Sequence, residues 1–417
     1  MASIEDRIRK AVAGYRNEMS ELTKELVRIP TENPPGKNYR ACAEMLARRT
    51  RELGLRAKVE KISPPKSARA EQASRTRPEP RYWVHAAYGS GRRAVYFHAH
   101  YDVVPASHAG QFEPRERNGC IFGRGAGDMK GGLVAMMFAV RALMDLKIEL
   151  HGRVELVFVP DEETGGALGT AMLARIGWIG RGAIGMLTAE PTGGVIWNAS
   201  RGAISMRLVV KGKPAHVGLS FRGVNAFERM LTVARGFEKE KRRIARRRTR
   251  FHIAPEAARR SILLIGGRSE GGTNFNAVPA ECSFTMDRRI NPEENLSREK
   301  KRLLQIVSRL RQTGIQIETE IIQEGESASV GKTHSFARAL GRAVRDVTGG
   351  APEFEMCPGL LETRFYAARG IPALAFGPGL LSVAHGPNEF VSLREMEKCA
   401  AIYALVAARM LGKEKRS

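Results

Sequence analysis

Residues 94–105 read Ala-Val-Tyr-Phe-His-Ala-His-Tyr-Asp-Val-Val-Pro (AVYFHAHYDVVP). The first six positions form a short apolar strand, and His100 and Asp102 follow where that strand ends. Open α/β sheets bind their ligands at such strand ends. Further along, 131–146 has the pattern of a helix, 153–159 (RVELVFV) of a strand, 169–176 of a helix and 183–188 (AIGMLT) of a strand. Strands alternating with helices predict a mainly parallel sheet with helices on both faces. Upstream, 4–28 and 39–53 read as helices, and Thr31-Glu-Asn-Pro-Pro-Gly36 as the loop between them. Residues 63–80, rich in Pro, Ser and Arg, read as a surface loop.

From about Gly202 the rhythm changes. Strands are expected over 203–211, 261–265, 281–289 and 315–322, with helices over 224–248 and 293–311. This β-α-β-β-α-β order is the ferredoxin-like split pattern, a complete layered domain. After Gly325 the first rhythm returns, with a helix over 333–347, a strand over 371–376 and a last helix opened by Ser392-Leu-Arg-Glu395. The expected organisation is an α/β domain in two parts, 1–201 and 327–417, with an α+β domain, 202–326, inserted between them. A chain of 417 residues has room for both.

Five segments carry acidic and histidine side chains at strand ends or in the loops beyond. In His100-Tyr-Asp102, a neutral imidazole suits a metal, and a carboxylate two residues on can accept its other N–H. His98 lies deeper and reads as structural. In Gly123-Arg-Gly-Ala-Gly-Asp128-Met-Lys-Gly-Gly132, glycines lead to one aspartate at the head of a helix. The spacing is not G-x-G-x-x-G, which argues against a dinucleotide loop. A lone carboxylate in a glycine-lined turn suits a ligand shared by two cations. In Asp161-Glu162-Glu163, Glu163 can ligate while Glu162 holds a proton taken from water. Glu190 follows an apolar strand, and His385 stands in Ala384-His-Gly-Pro-Asn-Glu389. Singly, each has an ordinary reading as a structural histidine or a solvated turn. Together His100, Asp128, Glu163, Glu190 and His385 exceed what one catalytic zinc uses and suit two cations about 3.5–4 Å apart.

Lys and Arg number 68 against 44 Asp and Glu, a formal charge of +24. The densest run, KEKRRIARRRTR (239–250), has no aromatic residues to stack bases. It reads as a solvated helix face, and no nucleic-acid partner is expected. No apolar run reaches 18 residues, so no membrane span is expected. The N-terminal residues lack the apolar stretch of a secretory signal. Five scattered cysteines without a C-x-x-C spacing suggest a reduced, cytoplasmic protein.

On these motifs the chain resembles the dinuclear-zinc aminoacylase/carboxypeptidase family that includes acetylornithine deacetylase and succinyl-diaminopimelate desuccinylase. ELVRIPTENPPG (25–36), HYDVVPA (100–106), GRGAGDMKGG (123–132), DEETGG (161–166), AEPT (189–192), KGKPAHVG (211–218), GGTNFNAVP (271–279), DRRINP (287–292) and AHGPNE (384–389) carry the resemblance. It implies a zinc-hydrolase α/β domain with an inserted ferredoxin-like lid and dimerisation domain. It implies that Asp128 bridges two zinc ions (cobalt or manganese being possible substitutes), one completed by His100 and Glu190, the other by Glu163 and His385. Glu162 becomes the general base and Asp102 the partner of His100. A cis peptide is implied at Asp128-Met129. His216 is implied to reach into a neighbouring subunit's site, hence a homodimer, and Asn276 and Arg289 to contact substrate. Two departures stand out: Ala99 replaces the family's glycine, and Cys357-Pro-Gly-Leu-Leu-Glu362-Thr-Arg364 differs from its usual Gly-Thr-Asp-type run.

The expected activity is hydrolysis of an anionic N-acyl amino acid, such as N-acetylornithine or N-succinyl-diaminopimelate, by a metal-activated water. A carboxypeptidase or dipeptidase of the same family is the alternative. A polyanion-binding protein with a vestigial metal site is the reading from a different class.

Overall fold

The computed structural model describes residues 2–63 and 80–412. The loop expected over 63–80 lies outside these except for its two end residues. The chain divides into two compact units, one of Met1–Asn198, Ser329–Phe354 and Phe365–Ser417, the other of Ala199–Ala328 and Glu355–Arg364.

The first unit is built on a parallel centre. Strand Ala94–His100 lies between Arg153–Val159 and Ala183–Thr188, parallel to both, and Ala373–Ala375 continues beside Ala183–Thr188. All seven residues of Ala94–His100 are buried, as expected of a strand covered on both faces. The margins are antiparallel. Arg81–Gly89 pairs with Arg153–Val159, Lys58–Ile62 pairs with Arg81–Gly89, and Trp197 faces Ala375. The two outer strands are not apparent from the sequence. RYWVHAAYG (81–89) interleaves charged and apolar residues, and Lys58–Ile62 is mostly polar, so neither shows a clean apolar run.

Helix Gly131–Asp145 is apolar on nearly every side and accordingly buried, sharing one core with helix Leu393–Leu411. Ser392 caps the latter, its hydroxyl accepting the Glu395 amide at 3.5 Å. A fully buried Leu or Val contributes about 1.5–3 kcal/mol. Leu133, Val134, Leu143 and Leu405, all fully buried, therefore make a firm anchor for the turn that precedes Gly131.

The second unit has a four-stranded antiparallel sheet in the order Ile262–Gly271, Glu281–Ile290, Gly202–Lys211, Ile317–Gly325. Helices Ala226–Gly236, Glu238–Ala245 and Leu296–Gln312 complete the β-α-β-β-α-β order. The single helix expected over 224–248 breaks at Phe237, whose ring is fully buried. A Cβ on Gly236 would stand 3.0 Å from the Leu310 side chain, so the glycine lets the helix come close there. The segment Glu355–Arg364, which the sequence alone left in the α/β domain, belongs to this unit. The amide of Met356 donates to the His252 carbonyl at 2.7 Å, and Arg201 to the Gly359 carbonyl at 3.0 Å.

The basic run largely meets its own acids. Arg243 pairs with Glu240, Arg247 with Glu294 and Glu299, and Arg248 with Glu256. No helix among the described residues is long and apolar enough to cross a membrane.

Candidate metal centre

His100 ends its strand with its side chain 1 % exposed. Its Nδ1 lies 3.0 Å from the main-chain oxygen of Asp102 and 3.5 Å from that residue's carboxylate. The Asp102 carboxylate is held elsewhere. Asn33 donates to Oδ2 at 2.8 Å, and the amides of Glu162 and Glu163 donate to Oδ1 and Oδ2 at 3.2 and 3.1 Å. Asp102 thus bears on His100 mainly through its main-chain oxygen and fixes the turn carrying Glu162 and Glu163 with its side chain. His98 is fully buried between Thr170 and Tyr366, each hydroxyl 3.1 Å from a ring nitrogen.

Asp128 stands in the turn before helix Gly131–Asp145, and its peptide bond to Met129 is cis. Glycines set how closely the neighbouring loops approach. A Cβ on Gly379 would lie 2.2 Å from the Gly127 carbonyl oxygen, and one on Gly377 would lie 2.2 Å from the Ala189 oxygen. Main chain therefore rests on main chain between the loops that carry Asp128, Glu190 and His385.

Two triads result. The ligand atoms of His100, Asp128 and Glu190 lie within 4.8 Å of one another, and so do those of Asp128, Glu163 and His385. Asp128 belongs to both. Its Oδ1 is 3.3 Å from His100 Nε2, and its Oδ2 is 3.3 Å from His385 Nε2. His385 Nε2 is also 3.3 Å from Glu163 Oε2. The first triad is wholly buried, while the His385 side chain is 52 % exposed.

The imidazoles and carboxylates of this cluster shift one another strongly. The carboxylates of Asp128 and Glu163, each 3.3 Å away, push the His385 pKa up to about 10. Burial would lower that of His100, but Asp102, Asp128 and the field of nearby glutamates raise it well above the usual value. Burial would raise that of Asp128, yet the two imidazoles hold it well below the carboxylate range. Glu163 is raised by burial and by the charge of Asp128, partly offset by His385. His100 Nε2 and Asp128 Oδ1 are both buried without a hydrogen-bond partner, although they face each other. Two ligands bonded at about 2.0–2.1 Å to one tetrahedral ion stand about 3.3–3.4 Å apart. The three 3.3 Å spacings fit shared cations better than hydrogen bonds, and the imidazole-carboxylate donor set suits zinc.

The remaining predicted residues stand in the second unit. His216 and Asn276 lie on one short ribbon, in which Ala215–His216 pairs with Ala277–Val278 and the Asn276 carbonyl accepts the Val217 amide at 2.9 Å. His216 is exposed, its Nδ1 accepting the Gly218 amide at 3.1 Å. Arg289 grips Asp287 with two nitrogens at 2.6 and 3.1 Å.

Sequence reasoning passed over the supports. Glu389 Oε1 accepts the amides of Gly127 and Asp128 at 3.0 and 3.1 Å, and its other oxygen meets Arg124 at 2.6 Å. Arg124 and Glu389 sit within quoted motifs, but their pairing joins positions 265 residues apart, which no local spacing reveals.

An α/β sheet whose strand ends gather two such triads around one aspartate is the frame of a two-metal hydrolase. Residues 96–409 match peptidase family M20/M25/M40, and the chain belongs to that family. It is 28 % identical over 330 residues, 76 % of this chain and 83 % of the relative, to succinyl-diaminopimelate desuccinylase of Nitrosomonas eutropha. The fold is shared with human carnosine dipeptidase 1, at TM-score 0.76 and 17 % identity over 98 % of this chain and 99 % of that one. It is shared also with a dinuclear-metal-binding M20 peptidase of Bacillus subtilis, at TM-score 0.65 and 15 % identity over 96 % and 99 %.

Proposed function

We propose that the protein deacylates an anionic N-acyl amino acid, of the N-acetylornithine or N-succinyl-diaminopimelate kind, at a two-zinc centre. The pair of triads meeting at Asp128 carries this reading. Asp128 would be the shared ligand, with His100 and Glu190 completing the inner position and Glu163 and His385 the outer one. Cations held there would polarise the scissile carbonyl and lower the pKa of a water.

The chain's own residues do the rest. Glu162, set by the grip of Asp102 on its amide, removes the proton from the attacking water. It then delivers that proton to the departing nitrogen, so that a carboxylate and a free amine leave. Asp102 orients His100 and the Glu162–Glu163 turn. His216 stabilises the oxyanion in a neighbouring subunit, which makes the working form a homodimer. Asn276 and Arg289 bind substrate, Arg289 by receiving its carboxylate in the two-pronged way it now receives Asp287. The +24 charge steers anionic substrates inward. Five free cysteines suit a reducing cytoplasm.

The desuccinylase relative supports deacylation. The deciding experiment joins metal quantification on the purified protein to a panel of N-acyl amino acids and dipeptides. Turnover of the acyl compounds with two ions per chain is expected. Turnover of dipeptides alone would replace deacylase with peptidase, and metal-free protein that binds DNA at low salt would favour the polyanion reading.

A further inference from the structure

The two cation positions are unlike in what surrounds them. The inner triad is buried to the last ligand, whereas the outer one ends on His385, half-exposed and in a loop. The His385 backbone has φ +63°, a left-handed conformation that residues other than glycine seldom adopt. Such a turn needs holding from outside, and the structure supplies the hold. Arg124 donates to the carbonyl oxygens of His385 at 3.0 Å, Gly386 at 3.3 Å and Pro105 at 3.4 Å. Gln111, itself buried, donates to those of Gly386 at 3.0 Å and Pro387 at 3.2 Å. Glu389 fixes Arg124 from the other side while receiving the Asp128 amide.

We propose that Arg124 and Gln111 form a clamp that sets the affinity of the outer cation position, with little effect on the inner one. This rests on the two-cation reading above. Neither residue touches a reacting atom, so both are positioning residues, acting through the His385 main chain. Among the described residues the Gln111 side chain donates only to the carbonyls of Gly386 and Pro387, and Arg124 to those of His385, Gly386 and Pro105 and to Glu389, whose other oxygen receives the Asp128 amide. Loss of a group that orients a metal ligand typically weakens metal binding by about 10–100-fold.

The test is titration of the metal-free full chain with Co²⁺ against a chromophoric chelator, resolving two dissociation constants. In the wild-type protein two ions per chain are expected. In Gln111→Ala, which leaves no buried charge behind, the weaker ion is expected to loosen by about 10–100-fold while the tighter one holds its wild-type affinity. In Arg124→Met, which also strips the Glu389 carboxylate behind Asp128 of its partner, the weaker ion is expected to loosen more than the tighter. His385→Ala, which removes the outer ligand, marks the limit of that effect. Should Arg124→Met fail to fold, Gln111→Ala alone decides. Equal weakening of both ions would show general loosening and overturn the clamp. Unchanged affinities in a wild-type-like two-ion protein would overturn it too. A wild-type chain that takes fewer than two ions would bring down the two-cation reading itself, and the clamp with it.

Discussion

Two clusters of buried carboxylates, one in each unit, show how differently the same side chains can be used. In the second unit Arg288 is fully buried and reaches Glu294 at 2.7 Å and Glu299 at 2.9 Å. Arg247 reaches the same two glutamates at 2.5 and 2.9 Å. Each acid there meets a permanent cation from its own chain. In the first unit the only cationic side chains that Asp128 and Glu163 meet among the described residues are histidines, Glu163 also accepting the Val104 amide at 3.2 Å. Imidazole gives up its proton near neutrality and then becomes a metal ligand, which a guanidinium never does. A buried carboxylate answered by arginine is architecture. One answered only by histidine is half of a binding site.

The largest expected difference between the clusters is in catalysis. Glu162→Gln should lower turnover by about 10²–10⁴-fold with both ions retained, read from kcat beside metal content. Full activity would remove Glu162 from its role. Breaking the second cluster should instead affect stability. Arg288→Met leaves Glu294 and Glu299 with Arg247 but without their buried partner and should cost about 1–3 kcal/mol in urea unfolding, with metal content per folded chain unchanged. A third contrast comes from adding zinc. At a hundredfold excess over its dissociation constant, a cation stabilises the folded chain by about 2.7 kcal/mol. That gain should appear in wild-type melting curves and vanish in Asp128→Asn, whereas Arg288→Met should keep it.

The smallest effect is one of pH. Burial would raise the Glu294 pKa, but Arg288, Ser261 and Arg247 together hold it below its ordinary 4.5. A depressed carboxylate contributes stability above that ordinary value and loses it as pH falls through the folded one. Acid below pH 4.5 should therefore destabilise the wild-type second unit more than Glu294→Gln, followed by circular dichroism. Equal acid sensitivity would mean the arginines do not favour the charged form.

The α/β centre was legible because its strands are continuous apolar runs, AVYFHA and RVELVFV, each ending in acids or histidines. The edge strand RYWVHAAYG was not, since a half-covered strand mixes both characters and follows a polar, proline-rich stretch. The break at Phe237 leaves no mark in the local sequence pattern, where apolar and charged residues continue through it. In the centre, residue types and strand ends pointed to His100, Asp128, Glu163, Glu190 and His385. The residues that aim them were silent: Asn33, Gln111, Arg124 and Glu389 have no distinctive spacing, only partners brought near by folding.

The glycines at 377 and 379 have one more consequence. Because they let bare backbones touch, the width of the cage is a contact distance between peptide groups, which no exchange of side chains can narrow and any added methyl would force open. An alanine at either position is therefore expected to spread the loops that carry Asp128, Glu190 and His385.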